Sequence, residues 1–178
     1  MNAFTIWFTG LPCSGKTTLA TLLYNHLLQW GVSNVELLDG DVVRQYLTRG
    51  LGFTKQDRDE NIRRIGWLSR MLNKHGVNAI VAAISPYRDV REEQKKLIKN
   101  FFEVYVKCPV EICEQRDVKG MYKKARQGII EHFTGVNDPY EEPLTPDIVI
   151  QTDKFSIEDS LKMILKGLME KKLVGQYD

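Results

Sequence analysis

At 178 residues, with 43% hydrophobic and 27% charged side chains, the chain is long enough for one domain with a sizeable core. Its formal net charge of +2 is too small to mark a nucleic-acid binder, and no apolar run reaches the roughly 20 residues that span a membrane. Three cysteines, Cys13, Cys108 and Cys113, are an odd number without zinc-ligand spacing, so neither a disulfide framework nor a structural zinc site is expected.

The first strand is expected over Thr5–Phe8. It begins so near the N-terminus that no signal or transit peptide is expected before it, and a cytoplasmic location is the default. Gly10-Leu11-Pro12-Cys13-Ser14-Gly15-Lys16-Thr17 follows, and then a helix is expected over Thr17–Trp30. A strand, a glycine-bounded loop and a helix start are the context in which GxxxxGK[ST] binds phosphate. The loop's N–H groups cradle phosphates, Lys16 reaches the transferring phosphate, and the Thr17 hydroxyl ligates magnesium, while the helix adds the positive end of its dipole. Cys13 has two readings: a thiol whose pKa is lowered by the surrounding N–H groups, and a small filler side chain.

A short strand, Val35–Leu38, ends at Asp39-Gly40-Asp41, and a helix is expected over Val42–Thr48. Ligands of open α/β sheets bind beyond the C-terminal strand ends. Of two carboxylates placed there, one can orient or deprotonate an acceptor hydroxyl, and the other can help hold a metal shell or substrate. The Gly50-Leu51-Gly52-Phe53 turn presents an aromatic ring, and the helix expected over Gln56–His75 carries Arg58, Asn61 and Arg64 at i, i+3 and i+6. With Arg44, these make a cluster suited to bidentate anion recognition.

The apolar run Ala79–Ile84 reads as a strand covered on both faces, with Ser85-Pro86-Tyr87-Arg88 at its end. Ser85 lacks the glycines of a nucleophile elbow, which excludes serine-hydrolase chemistry. Further elements are expected over Val90–Asn100 (helix), Phe102–Val106 (strand), Val110–Asp117 (helix), Ile148–Ile150 (strand) and Ile157–Lys172 (helix). The alternation implies one domain over residues 1–178. Its fold is three-layer α/β/α with a mostly parallel five-stranded sheet. Residues 118–145 break the pattern and are expected to form a lid, with Lys119, Lys123, Lys124 and Arg126 facing phosphates on closure. Arg116 opens this segment beside Asp117, its expected ion-pair partner. No asparagine-lysine-x-aspartate segment is present to read guanine.

The ordered motifs resemble the adenylylsulfate kinase (APS kinase) family of P-loop kinases over roughly Phe4 to Thr152. The resemblance is carried by Gly10–Thr18, Asp39-Gly40-Asp41 with Arg44, Leu51-Gly52-Phe53, Asp57–Arg64, Ile84–Arg88, Cys113–Arg126, Phe133-Thr134-Gly135 and Pro139-Tyr140-Glu141. It implies transfer of the ATP γ-phosphate to the ribose 3′-hydroxyl of adenosine 5′-phosphosulfate (APS), with Mg2+. The products are 3′-phosphoadenosine 5′-phosphosulfate (PAPS) and ADP. Lys16, Asp39 and Ser85 are the implied catalytic positions, and Thr17 and Asp39 organise the metal. Gly10 to Thr18, Arg116 and Thr152 are implied on the ATP side. Asp39, Asp41, Arg44, Phe53, Arg58, Asn61, Ile84, Ser85, Lys119 and Phe133 are implied on the APS side, with Phe53 and Phe133 enclosing the substrate adenine. A homodimer and a functional link to ATP sulfurylase are also implied. The loop's Pro12-Cys13 and the lid segment Gln127–His132 depart from the usual family sequence. Two alternatives remain: a small P-loop kinase for another nucleotide or a hydroxylated metabolite, and a non-catalytic nucleotide-binding partner in sulfate activation. Intact Lys16, Thr17, Asp39 and Arg58 oppose the second.

Overall fold

The computed structural model describes residues 3–175. Strand β1 (Thr5–Thr9) is buried along its whole length, and successive side chains project to opposite faces. Helix α1 (Lys16–Gln29) follows the phosphate loop, then β2 (Val35–Asp39) and α2 (Gly40–Tyr46). The long α3 (Lys55–Lys74) starts at Thr54, whose hydroxyl accepts from the Asp57 N–H. Strand β3 (Asn78–Ala82), α4 (Arg88–Leu97) and β4 (Phe101–Lys107) come next, followed by α5 (Val110–Gln115) and α6 (Met121–Arg126). The chain closes with β5 (Ile148–Gln151) and α7 (Ile157–Glu170), capped by Ser156.

The sheet order is β2-β3-β1-β4-β5, and every pairing is parallel. The expected "mostly parallel" sheet is therefore wholly parallel among the described residues, because each connection is long enough to cross over. On one face Ile6 and Phe8 meet Leu19, Leu23 and Leu27 of α1 and Ile164 and Leu168 of α7. On the other, Trp7 and Val81 meet Ile62 and Ile65 of α3 and Val90 of α4. The strand order reverses at β1, whose neighbours are β3 and β4, so a crevice opens beyond its C-terminal end.

Three boundaries differ from expectation in ways that matter. Helix α2 starts at Gly40 because the Asp39 carboxylate caps it, accepting from the Asp41 and Val42 N–H groups. β3 stops at Ala82, so Ala83–Tyr87 continue as a loop beyond its C-terminal end. The segment after α5 contains α6, which was not expected. Tyr122, Ala125 and Phe133 pack there with Cys108 and Cys113 into a third apolar cluster, so this stretch is built on its own small core.

Leu23 is fully buried between α1 and the sheet. Leu23→Ala is expected to lower unfolding free energy by about 2–5 kcal/mol in denaturant titration, with the fold retained.

Candidate active site

The phosphate loop leaves β1 through Gly10, at φ +152° and so close to β4 that a Cβ would collide with the Val106 carbonyl oxygen. It enters α1 through Gly15 in the left-handed region, with no side-chain cap, so the first-turn N–H groups are left for an anion. Lys16 is almost fully buried, and its ammonium donates to the Leu11 carbonyl at 2.6 Å. Burial pulls its pKa down to about 8, against the opposing pull of nearby acidic groups including Asp39 and Asp41. Beside the loop lies a cleft of about 470 Å³ lined by Lys16, Thr17, Arg116, Thr152, Phe155 and Ile157. Arg116 donates to the Thr152 hydroxyl and carbonyl at 3.0 and 2.8 Å, and Thr152 in turn donates to the Ser14 carbonyl at 2.8 Å. This chain fixes the far wall of the cleft to the loop.

Asp39 meets the loop directly: the Thr17 hydroxyl donates to its Oδ2 at 2.8 Å. Its Oδ1 is held by the α2 N–H groups, so the carboxylate is oriented by helix and loop together. Asp41, two residues on, pairs with Lys119 from the lid at 3.1 Å, both side chains being exposed. The hydrogen bond to Asp41 holds the Lys119 ammonium above its ordinary pKa.

Arg44 and Arg58 frame Phe53. Arg44 donates to the Gly52 carbonyl at 3.0 Å and lies over the Phe53 ring at 4.5 Å, while Arg58 Nε donates to the Phe53 carbonyl at 3.0 Å. The other arm of Arg58 donates to the His132 carbonyl at 2.5 Å, next to Phe133. One guanidinium therefore holds the two segments that carry the aromatic rings. Phe53 is 51% exposed, whereas Phe133 is 8% exposed and stands edge-on to Tyr122 at 4.9 Å. Asn61, one turn after Arg58 on α3, is buried and accepts from the Thr48 hydroxyl at 2.8 Å.

Ile84 and Ser85 form the floor. The Ile84 carbonyl accepts from the Thr9 hydroxyl at 2.7 Å and from the Gly10 N–H at 3.4 Å. Ser85 is buried with φ +48°, and its hydroxyl accepts from the Trp7 indole at 2.9 Å. Sequence reasoning gave no sign of the Trp7–Ser85 bond, because it joins residues 78 positions apart, one on β1 and one in the loop after β3.

Three expectations are corrected, and one of the two readings of Cys13 is set aside. Burial and the neighbouring Asp117 carboxylate push the Cys13 thiol up rather than down. Arg64 is exposed and pairs with Glu60, away from Arg58 and Asn61. Asp117 accepts from the Tyr122 N–H at 2.7 Å and caps the lid helix, while Arg116 turns to Thr152. Arg126 binds Glu114 and does not face the phosphate loop.

A parallel sheet of this order, with a GxxxxGK[ST] loop at its switch point and a lid after the fourth strand, defines a P-loop kinase. The family model described as adenylylsulphate kinase matches residues 2–151. An adenylyl-sulfate kinase of Synechococcus sp. (strain JA-2-3B'a(2-13)) is 52% identical over 170 residues, 96% of this chain and 97% of that protein. The structure of the Mycobacterium tuberculosis APS kinase CysC in complex with AMPPNP and APS superposes with a TM-score of 0.89 at 40% identity, covering 94% of this chain and 98% of that one. A hexameric APS kinase from Thiobacillus denitrificans superposes with a TM-score of 0.73 at 34% identity, covering 96% of this chain and 29% of that one. The chain belongs to the adenylylsulphate kinase family.

A lysine whose pKa is about 8 in the free protein must be charged to hold a nucleoside triphosphate, and phosphate raises its pKa on binding. Binding near pH 9 is therefore expected to take up most of a proton, and affinity is expected to fall as pH rises through 8. Calorimetry in two buffers of different ionisation enthalpy measures the uptake, which Lys16→Arg abolishes.

Proposed function

We propose that the chain transfers the γ-phosphate of ATP to the ribose 3′-hydroxyl of APS, giving PAPS and ADP. The observation that carries this reading is the Thr17–Asp39 hydrogen bond. It sets a carboxylate beside the phosphate loop and at the cap of α2, the helix that carries Arg44 of the Arg44, Phe53 and Arg58 cluster. Asp39 accepts the proton of the 3′-hydroxyl as that oxygen bonds to phosphorus, and the bond from phosphorus to the ADP oxygen breaks. Lys16 leaves the Leu11 carbonyl and neutralises the transferring group.

The Thr17 hydroxyl and Asp39 Oδ2 are hard oxygen donors held side by side, as Mg2+ requires of a site completed by phosphates. When bound, Mg2+ neutralises charge on the phosphate oxygens. Cys13, Ser14, Gly15 and Thr18 belong with Lys16 on the ATP side, with Arg116 and Thr152 at the base.

On the acceptor side, Phe53 and Phe133 enclose the adenine. Arg44, Arg58, Asn61 and Lys119 serve the sulfate, phosphate and ribose, and Asp41 places Lys119. Ser85, its hydroxyl engaged by Trp7, serves with Ile84 as a fixed floor for the reacting sugar. Residues 118–145 act as the lid of a single domain spanning residues 1–178. A homodimer, operating in the cytoplasm on APS delivered by ATP sulfurylase, completes the reading. Among the described residues no helix is long and apolar enough to cross a membrane.

Turnover with ATP and APS, set against nucleoside monophosphates, gluconate and shikimate as acceptors, tests the assignment. APS alone is expected to support rapid ADP formation, and inactivity with it would refute the proposal. Asp39→Asn is expected to lower kcat by roughly 10²–10⁴-fold while calorimetry shows ATP still bound. Arg58→Ala is expected to raise KM for APS about tenfold or more through loss of the Phe53–His132 tie, with KM for ATP nearly unchanged.

A further inference from the structure

Arg91 of α4 is 1% exposed, and each of its two terminal nitrogens donates to a different loop. One terminal nitrogen donates to the Ser85 carbonyl at 2.5 Å, and the other donates to the Glu141 carbonyl at 2.5 Å. Its Nε faces Glu103 Oε1 of β4 at 3.4 Å, and its guanidinium lies 5.6 Å from the Tyr140 ring centre. Tyr140 shares a hydrogen bond with the Thr9 hydroxyl at 2.8 Å, and Thr9 also donates to the Ile84 carbonyl. The Glu141 N–H donates to the Pro86 carbonyl at 2.8 Å, and its carboxylate accepts from the Arg88 N–H at 2.7 Å. The C-terminal end of the lid is thus laid against the loop that follows β3.

Ser85 needs such support. A non-glycine residue in the left-handed region is held there at a cost, and the proline that follows restricts it further. Trp7 holds its hydroxyl, and Arg91 holds its carbonyl together with the Thr9 hydroxyl, which lies at the longer distance of 3.4 Å.

We infer that Arg91 is a positioning residue that latches the end of the lid, Tyr140-Glu141, to Ser85 at the acceptor floor, so that lid and floor are set together for the acceptor. This rests on the reading of APS as substrate. Arg91 touches no reacting atom; it acts through Ser85 and Glu141. The Glu103 ion pair holds the guanidinium in place but makes neither loop contact, so latch and ion pair can be separated experimentally.

Three variants separate them. Arg91→Lys keeps a charge beside Glu103 but cannot hold both carbonyls with one short ammonium. Glu103→Gln weakens the ion pair and leaves the two carbonyl bonds. Tyr140→Phe removes only the bond to Thr9 and is mild enough to carry the test if Arg91→Lys fails to fold. The first readout is hydrogen exchange at the Glu141 amide, which needs no substrate and decides the latch whether or not APS is the acceptor. It is expected to quicken at least about tenfold in Arg91→Lys and measurably in Tyr140→Phe, and to stay within about twofold of wild type in Glu103→Gln. The second is the split between substrates. Arg91→Lys is expected to raise KM for APS about tenfold and Tyr140→Phe a few-fold, with ATP affinity unchanged, whereas Glu103→Gln lowers Tm without moving KM. Unchanged Glu141 exchange in the folded latch variants, or KM for APS within twofold of wild type in them, overturns the inference. Wild-type inactivity with APS defeats the substrate reading instead and leaves the exchange result to judge the latch.

Discussion

Gly10 leaves the central strand where a side chain would strike the Val106 carbonyl, and the site is organised around that close approach. Because the loop can pass so near β4, it curls tightly over the end of β1 and delivers Gly15 to the start of α1. Lys16 is thereby buried and its ammonium finds a partner in the loop's own Leu11 carbonyl. Thr17, one residue on, reaches Asp39 at the end of a strand two places away in the sheet. An unpartnered ammonium at this depth would be costly, so the resting loop is stabilised by a bond that it must exchange for phosphate.

Much of this was legible in the sequence because it is local. The strand–loop–helix context of residues 4–30 and the carboxylates at the end of β2 both follow from short-range pattern, and both stand where the pattern put them. Spacing failed where its geometry was taken too far. Arg58 and Asn61 lie about 60° apart around α3, but Arg64, a further three residues on, has turned about 120° from Arg58 and reaches solvent. The short helix α6 was hidden by glycines and lysines, and is held by Tyr122 and Phe133 packing against cysteines from other elements.

Long-range polar bonds were the least legible. Arg91 sits in Arg88-Asp89-Val90-Arg91-Glu92-Glu93, which reads as a solvated helix start. The available signal was on its partner: Glu103 interrupts the apolar run of β4 at a position 1% exposed, and a buried carboxylate requires a cation. Burial raises the Glu103 pKa while Arg91 and Lys95 pull it down, a balance that holds only while both cations stay in place.

The buried and half-buried cations of the site share a habit of bonding. Lys16 donates to Leu11, Arg44 to Gly52, Arg58 to Phe53 and His132, and Arg91 to Ser85 and Glu141, in each case to a main-chain carbonyl. Every residue offers that acceptor whatever its side chain. The loops so held are therefore free to drift in sequence while the cations and the path of the backbone are kept. That freedom extends to the lid, where Arg58 holds His132 through its carbonyl and not through its imidazole. In such a site evolutionary constraint falls on the donors, and the segments they hold can diverge to suit temperature, partner or salt without dismantling the chemistry.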